Sequence, residues 1–190
     1  MPGMISASCA TPATRNWRAA DGSVVAVETR ERLRLLHAPD DLFELVLDVR
    51  RYPGFIPQIT AMRVLKEAHD GPLTDLTAEA RVRYKFVAER FTSRVRADAV
   101  HRTIDVSFVS GPFRVLENAW RFHALSDGST LVDFTIKAEF RNAILQMRLE
   151  GNRDRAGRIL IGKFSAEAEQ RCEPAGDPSK DLAEEIDALG

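Results

Sequence analysis

The feature that most constrains this chain is a two-residue alternation of apolar and polar side chains, repeated five times between positions 78 and 140. Ala78, Ala80, Val82, Tyr84 and Phe86 alternate with Glu79, Arg81, Arg83 and Lys85. Phe91, Ser93, Val95 and Ala97 do so with Thr92, Arg94 and Arg96, and Ile104, Val106 and Phe108 with Asp105 and Ser107. Trp120 and Phe122 bracket Arg121, and Val132, Phe134, Ile136, Ala138 and Phe140 close the series. Period two with turn signals between the runs (Gly111-Pro112, Asp127-Gly128) describes an antiparallel sheet with one wet face and one apolar face. Val27–Leu35 reads as a further strand, with Glu28, Arg30, Arg32 and Arg34 on one side, and 60–65 as another.

Two segments break this pattern. After Ala38-Pro39-Asp40-Asp41, the residues Leu42, Phe43, Leu45, Val46, Leu47 and Val49 fit a short amphipathic helix with proline and acids in its first turn. It ends at Tyr52-Pro53-Gly54-Phe55-Ile56-Pro57, expected as a stiff irregular turn. From Asn142, a plausible N-cap, to Arg171 the spacing predicts one long helix. Its stripe is Leu145, Leu149, Ala156, Leu160, Phe164 and Ala168. Gly151, Gly157 and Gly162 each weaken it by about 1 kcal/mol relative to alanine.

One helix about 10 Å wide cannot cover six or seven strands spaced about 4.8 Å apart. A curved sheet wrapped around that helix solves the problem, and the gap between them is a natural cavity. The expected class is therefore α+β. The ends differ in character: 1–26 is acid-poor until Asp21 and reads as a flexible leader or transit peptide, 27–173 as the domain, and 174–190 as a solvated acidic tail with one helical turn near Leu182.

A formal net charge of −1 argues against a DNA- or RNA-dedicated protein. Two cysteines far apart, Cys9 and Cys172, rule out a disulfide framework and a cysteine-rich zinc site. No apolar run approaches the roughly 18 residues of a membrane helix. The chain carries no glycine-rich phosphate loop, nucleophile elbow or ligand-spaced histidine pair. No catalytic or metal-ligating residue is therefore assigned, and His37, His69, His101 and His123 are expected at the surface. Arg81, Arg83, Lys85, Arg94 and Arg96 form an outer basic stripe. Asn118 shares a face with Trp120 and Phe122, where an amide is costly unless it bonds water, backbone or a ligand's polar head.

Three segments, 42–57 (Leu-Phe-Glu-Leu-Val-Leu-Asp-Val-Arg-Arg-Tyr-Pro-Gly-Phe-Ile-Pro), 89–95 (Glu-Arg-Phe-Thr-Ser-Arg-Val) and 111–122 (Gly-Pro-Phe-Arg-Val-Leu-Glu-Asn-Ala-Trp-Arg-Phe), together resemble the coenzyme-Q-binding protein family. That family lies within the START-like, polyketide-cyclase-related superfamily and has ribosome-association toxins among its bacterial members. The resemblance implies a START-like helix-grip fold. It also implies a non-catalytic protein that binds ubiquinone or another hydrophobic lipid as ligand, with no other cofactor, in support of respiratory electron transport. The implied cavity is shaped by Tyr52, Pro53, Phe55 and Pro57, and by the inward faces of Val82, Tyr84, Phe86, Phe91, Phe108, Trp120, Phe122, Phe134 and Ile136. Asn118 and helix residues Leu145, Leu149 and Leu160 complete it, with a gate in the Pro-Gly turn and in a loop from Val109 to Leu116 that carries Phe113. Transient contact with a membrane surface follows, in a bacterial cytoplasm beside the inner membrane or, with a cleaved leader, in mitochondria. A ribosome-associated growth regulator acting through the basic stripe on the large subunit is the alternative. A polyketide cyclase or aromatase is a third reading, which would need Tyr84 and Asn118 for acid–base work.

Overall fold

The structure, a computed structural model, describes residues 26–84, 87–151 and 153–190. Seven strands form one antiparallel sheet in the order β1-β7-β6-β5-β4-β3-β2. They are β1 (Val27–Leu35), β2 (Ile59–Asp70), β3 (Leu73–Tyr84), β4 (Val87–Asp98), β5 (Thr103–Ser110), β6 (Phe113–Ala124) and β7 (Thr130–Phe140). The helical elements are α1 (Pro39–Leu47), α2 (Tyr52–Phe55), α3 (Ala143–Glu150), α4 (Arg153–Arg171) and α5 (Ala183–Ala188). The chain order places β1 beside β7, so the connection through α1 and five hairpins returns the chain to its starting edge.

Alternation dictates which side chains face in. In β6 and β7, Trp120, Phe122, Val132 and Phe134 are each no more than 4% exposed and meet Leu42, Leu45 and Val46 of α1 and Ile161 and Phe164 of α4. Burying a side chain of this size stabilises by about 1.5–3 kcal/mol, so this face holds the sheet and helices together.

Five expectations are corrected. The single helix from Asn142 is two: the Asn142 Oδ1 accepts from the amides of Ile144 (2.9 Å) and Leu145 (3.3 Å) and caps α3, which ends at Gly151 before α4 begins. The Tyr52–Phe55 segment is one turn of helix, because a proline in the first turn lacks only an amide that would have no intrahelical partner anyway. The Val109–Leu116 loop is a tight hairpin, not a loose gate. Gly111 has φ +133°, a Cβ there would sit 2.6 Å from Phe91 Cβ, and Arg141 clamps the turn by donating to the carbonyls of Pro112 and Phe113, both at 2.9 Å.

The acidic tail is docked, not solvated. Ala175 N donates to the Leu36 carbonyl at 2.8 Å, Leu182 packs with Leu125 and Leu131, and the Glu185 carboxylate accepts from the Ser126 amide and hydroxyl, both at 2.8 Å. Arg34 ties the segment down, donating to Asp127 (2.6 Å) and to the carbonyls of Asp177 (2.8 Å) and Lys180 (2.9 Å). Burial pulls the Asp127 carboxyl upward. Hydrogen bonds from Ser129, from the Asp177 amide and from Arg34 outweigh that and hold it well below the usual carboxylate range. His37 is also buried rather than at the surface, its Nδ1 3.2 Å from the Glu173 carbonyl.

Candidate functional site

The inward face of the sheet divides into two zones, visible row by row across the strands. In one row Ile104 pairs with Trp120 and Trp120 with Phe134, at 1%, 4% and 0% exposure. Two residues along the same strands, Val106 pairs with Asn118, Asn118 with Ile136 and Ile136 with Thr29, and every member is only half-buried. Phe91, Phe108, Met62 and Val64, also inward by register, are half-buried too. These side chains keep accessible surface where the neighbouring row has almost none.

The packed zone is closed by aromatic contacts. Phe164 of α4 meets Tyr52, Phe55 and Trp120 edge-to-face at centroid distances of 5.1, 5.2 and 4.9 Å. Tyr52 donates its hydroxyl to the Val46 carbonyl, and burial raises its pKa. The void remaining beneath α1 is about 10 Å³, at the lower limit for a single water. At the far end a second cluster gathers, with Phe113 edge-on to Phe91 at 5.3 Å and stacked on Phe140 at 4.4 Å, joined by Phe108 and Leu149. The open zone lies between these two aromatic clusters.

Of the residues expected to line a cavity, Val82, Phe91, Phe108, Asn118, Ile136, Leu149 and Leu160 are half-buried and inward or core-facing. Leu145 is half-buried on α3, Pro53 half-buried in α2, and Phe113 buried in the far cluster. Trp120, Phe122 and Phe134 belong to the packed core, where Trp120 and Phe122 line the small void beneath α1, and Tyr52 and Phe55 pack on Phe164. Pro57 is exposed and lines nothing inside. Lys85, Phe86, residues 1–25 and the side chains of Tyr84 and Ala156 lie outside what the structure describes.

Two inward groups were missed. Thr29 and Glu31 of β1 point at α4, where a Cβ on Gly157 would lie 2.6 Å from Thr29 Oγ1 and 3.3 Å from Glu31 Oε1. Their signal was present: once Glu28, Arg30, Arg32 and Arg34 share the outer face, the odd positions must face in.

A solvent-open concavity of about 430 Å³ lies at the half-buried row, and its lining joins the charged outer residues Glu28, Arg96, Asp105, Glu117 and Lys137 to Val106, Asn118 and Ile136. Its mixed charges contrast with the apolar interior. The basic stripe is partly neutralised: Arg94 is bidentate to Asp75, and Arg96 lies 4.0 Å from the same carboxylate. No helix among the described residues is long and apolar enough to cross a membrane.

Known proteins resemble this chain in sequence and in fold. The sequence is 31% identical over 111 residues to the persistence and stress-resistance toxin PasT of Escherichia coli, covering 58% of this chain and 67% of the toxin. It is 32% identical over 114 residues to the ribosome association toxin RatA of Rickettsia prowazekii, covering 58% and 75%. The solution structure of an 18 kDa protein from Caulobacter crescentus superimposes with a TM-score of 0.63 at 43% identity, over 75% of this chain and 96% of that one. The Zhui aromatase/cyclase of a Streptomyces species shares the fold at a TM-score of 0.66 and 18% identity, over 77% and 95%. Residues 36–160, which run from the end of β1 through the middle of α4, match the family described as polyketide cyclase/dehydrase and lipid transport, and the chain belongs to that START-like family.

Proposed function

We propose that this protein binds and delivers a hydrophobic molecule with a polar head, ubiquinone being the candidate, in support of respiratory electron transport and without catalysis of its own. The observation that carries this reading is the open zone: half-buried Val106, Phe108 and Ile136 beside Asn118, on the face whose neighbouring rows are fully packed. An isoprenoid tail gains about 25 cal/mol per Å² it removes from water, and few polar groups are needed to orient its head. Loading from a bilayer fits the α3–α4 side of the molecule. Ile144, Met147 and Ile159 are 65%, 70% and 52% exposed there, and 141–163 holds six cations against two acids in a chain of net charge −1. Exposed apolar side chains among cations favour transient contact with an anionic membrane surface, which supports the reading of a protein that works in a bacterial cytoplasm beside the inner membrane. The test is organic extraction of the purified protein followed by mass spectrometry. A stoichiometric isoprenoid quinone is expected, and an empty extract after incubation with quinone-containing vesicles would overturn the reading.

A second reading, association with the large ribosomal subunit, is favoured by the RatA relatives. It would use the outer face, where Arg81 and Arg83 are exposed. Co-sedimentation with large subunits that is abolished by Arg81→Glu and Arg83→Glu would support it, and no co-sedimentation would remove it.

A further inference from the structure

We propose that Arg63, Arg81, Arg83 and Arg90, on the outer face of β2, β3 and β4, form a docking surface for the phosphate backbone of double-stranded RNA. The inference rests on the ribosome-directed reading and names the chemistry this face would meet on the large subunit.

The register brings the four side chains together. Arg63 pairs with Glu79 across β2 and β3, Arg81 stands directly opposite Arg90 across β3 and β4, and Arg83 follows two residues beyond Arg81 on the same side. Three strands about 4.8 Å apart, and four residues at about 3.4 Å each, bound a patch of roughly 10 by 14 Å. All four arginines are exposed.

Their charge is left largely uncompensated. Glu79 is the carboxylate that the register sets among them, 3.5 Å from Arg90. Among the described residues, no ion pair or side-chain hydrogen bond engages Arg63, Arg81 or Arg83. Like charges directly opposite on neighbouring strands repel, so the Arg81–Arg90 pair carries a cost that an anion seated between them removes. Farther along the same strands the cations are already neutralised: Arg94 is bidentate to Asp75, and Arg96 lies 4.0 Å from that carboxylate. A net charge of −1 over the whole chain does not cancel the patch, because screening confines its field to about 8 Å at physiological salt.

The surroundings select the anion. No Phe, Tyr or Trp side chain points outward from β2, β3 or β4 among the described residues, so the face lacks the stacking platforms that hold a single strand. Ala61, Ala88 and Thr92 lie between the arginines, and none is an apolar wedge for a lipid surface, in contrast to Ile144 and Met147 of α3. A flat face of guanidinium forks suits rows of phosphate oxygens, which a duplex presents at close spacing. Contacts of this kind read shape and backbone and carry no sequence information.

The test is fluorescence-anisotropy titration of the full-length protein into a labelled RNA duplex of about 20 base pairs, at about 50 to 200 mM potassium chloride. Log Kd is expected to rise with log salt at a slope of about 3, and two duplexes of unrelated sequence should bind alike within about twofold. Arg81→Glu with Arg83→Glu should weaken binding at least about tenfold and lower the slope by about 2. Arg94→Gln should leave both unaltered, and Arg81→Lys with Arg83→Lys should keep the slope, since a phosphate contact needs the charge. Should the double reversal not fold, Arg81→Gln with Arg83→Gln decides in its place, with the same drop in slope. Binding unaltered by these exchanges would overturn the patch. Large subunits that carry the protein down while the duplex stays unbound would overturn the RNA surface and leave the ribosome reading intact. Duplex binding without co-sedimentation would keep the surface and remove the ribosome, and binding to neither would overturn both. Flotation with phosphatidylglycerol vesicles that is lost in Arg81→Glu with Arg83→Glu, with the duplex unbound, would assign the patch to lipid phosphates instead.

Discussion

The packed and open zones are built on the same strands, from the same alternation and from similar residue types, yet one is a core and the other a lined space. Ile104 and Val106 are two positions apart on β5 and both point inward, but one is 1% exposed and the other half-buried. Cover makes the difference. Helix α1 lies against β5 and β6 at one end, and Phe164 reaches from α4 onto Trp120. Beyond them the sheet continues, while α3 ends at Glu150 and α4 begins at Arg153. Alternation thus specifies which face is apolar, and the length and breaks of the covering helices specify how much of it is filled.

The comparison can be broken most forcefully in the packed zone. Phe134→Ala should cost about 3–5 kcal/mol in chemical denaturation, because its side chain is fully enclosed and leaves a cavity. Ile136→Ala, two residues along, should cost much less and show instead as weakened ligand binding. If both lost the same stability, the two zones would be one core.

Adding volume sharpens the distinction with the opposite sign. Ile104→Phe should destabilise by about 1–3 kcal/mol through overpacking. Val106→Phe should be accommodated in the open zone with little loss of melting temperature while lowering the quinone recovered on extraction.

A smaller effect contrasts the interior with the docked C-terminal segment. The Asp127 carboxyl is held below its ordinary value of 3.8, so its contribution is fully present above that pH and fades as the pH falls through the lower folded value. Asp127→Asn should cost about 1–2 kcal/mol at neutral pH, the scale of lost charge-assisted hydrogen bonds. The variant's stability should also fall less steeply than the parent's below about pH 4. An unchanged acid transition would mean that the segment is not held through this carboxylate.

The smallest stability effect is expected at α3. Ile144→Ser with Met147→Ser should change stability by no more than about 0.5 kcal/mol, since both side chains face solvent. The same pair should lower co-flotation with vesicles containing phosphatidylglycerol, and undiminished flotation would place the membrane contact elsewhere.

How much of this was legible beforehand varies by element. Strand β1 runs over Val27–Leu35 as read from its alternation, and the inward sides of β3 to β7 follow from period two, a local property of the backbone. Asn142 was recognisable as a cap because its side chain bonds amides only two and three residues away. The break after Gly151 was harder to read: glycine weakens a helix by about 1 kcal/mol, and packing elsewhere decides whether that ends it. The docking of the C-terminal segment was illegible because its partners, Arg34, Leu36 and Asp127, lie 50 to 146 positions away in the chain. Tyr52 and Phe55 were legible as a rigid aromatic pair but not as scaffold, since only the position of Phe164 decides what they touch.

By itself, then, the sequence determined the α+β class, the antiparallel strands, the apolar face and the need for a helix to cover it. These follow from periodicities of two and 3.6 that each segment carries alone. Only the tertiary structure decided that one row of the apolar face stays half-buried beside a packed one, that Thr29 and Glu31 meet Gly157, and that an acidic segment packs as part of the domain. Those outcomes depend on distances between residues far apart in the chain, which local pattern does not encode.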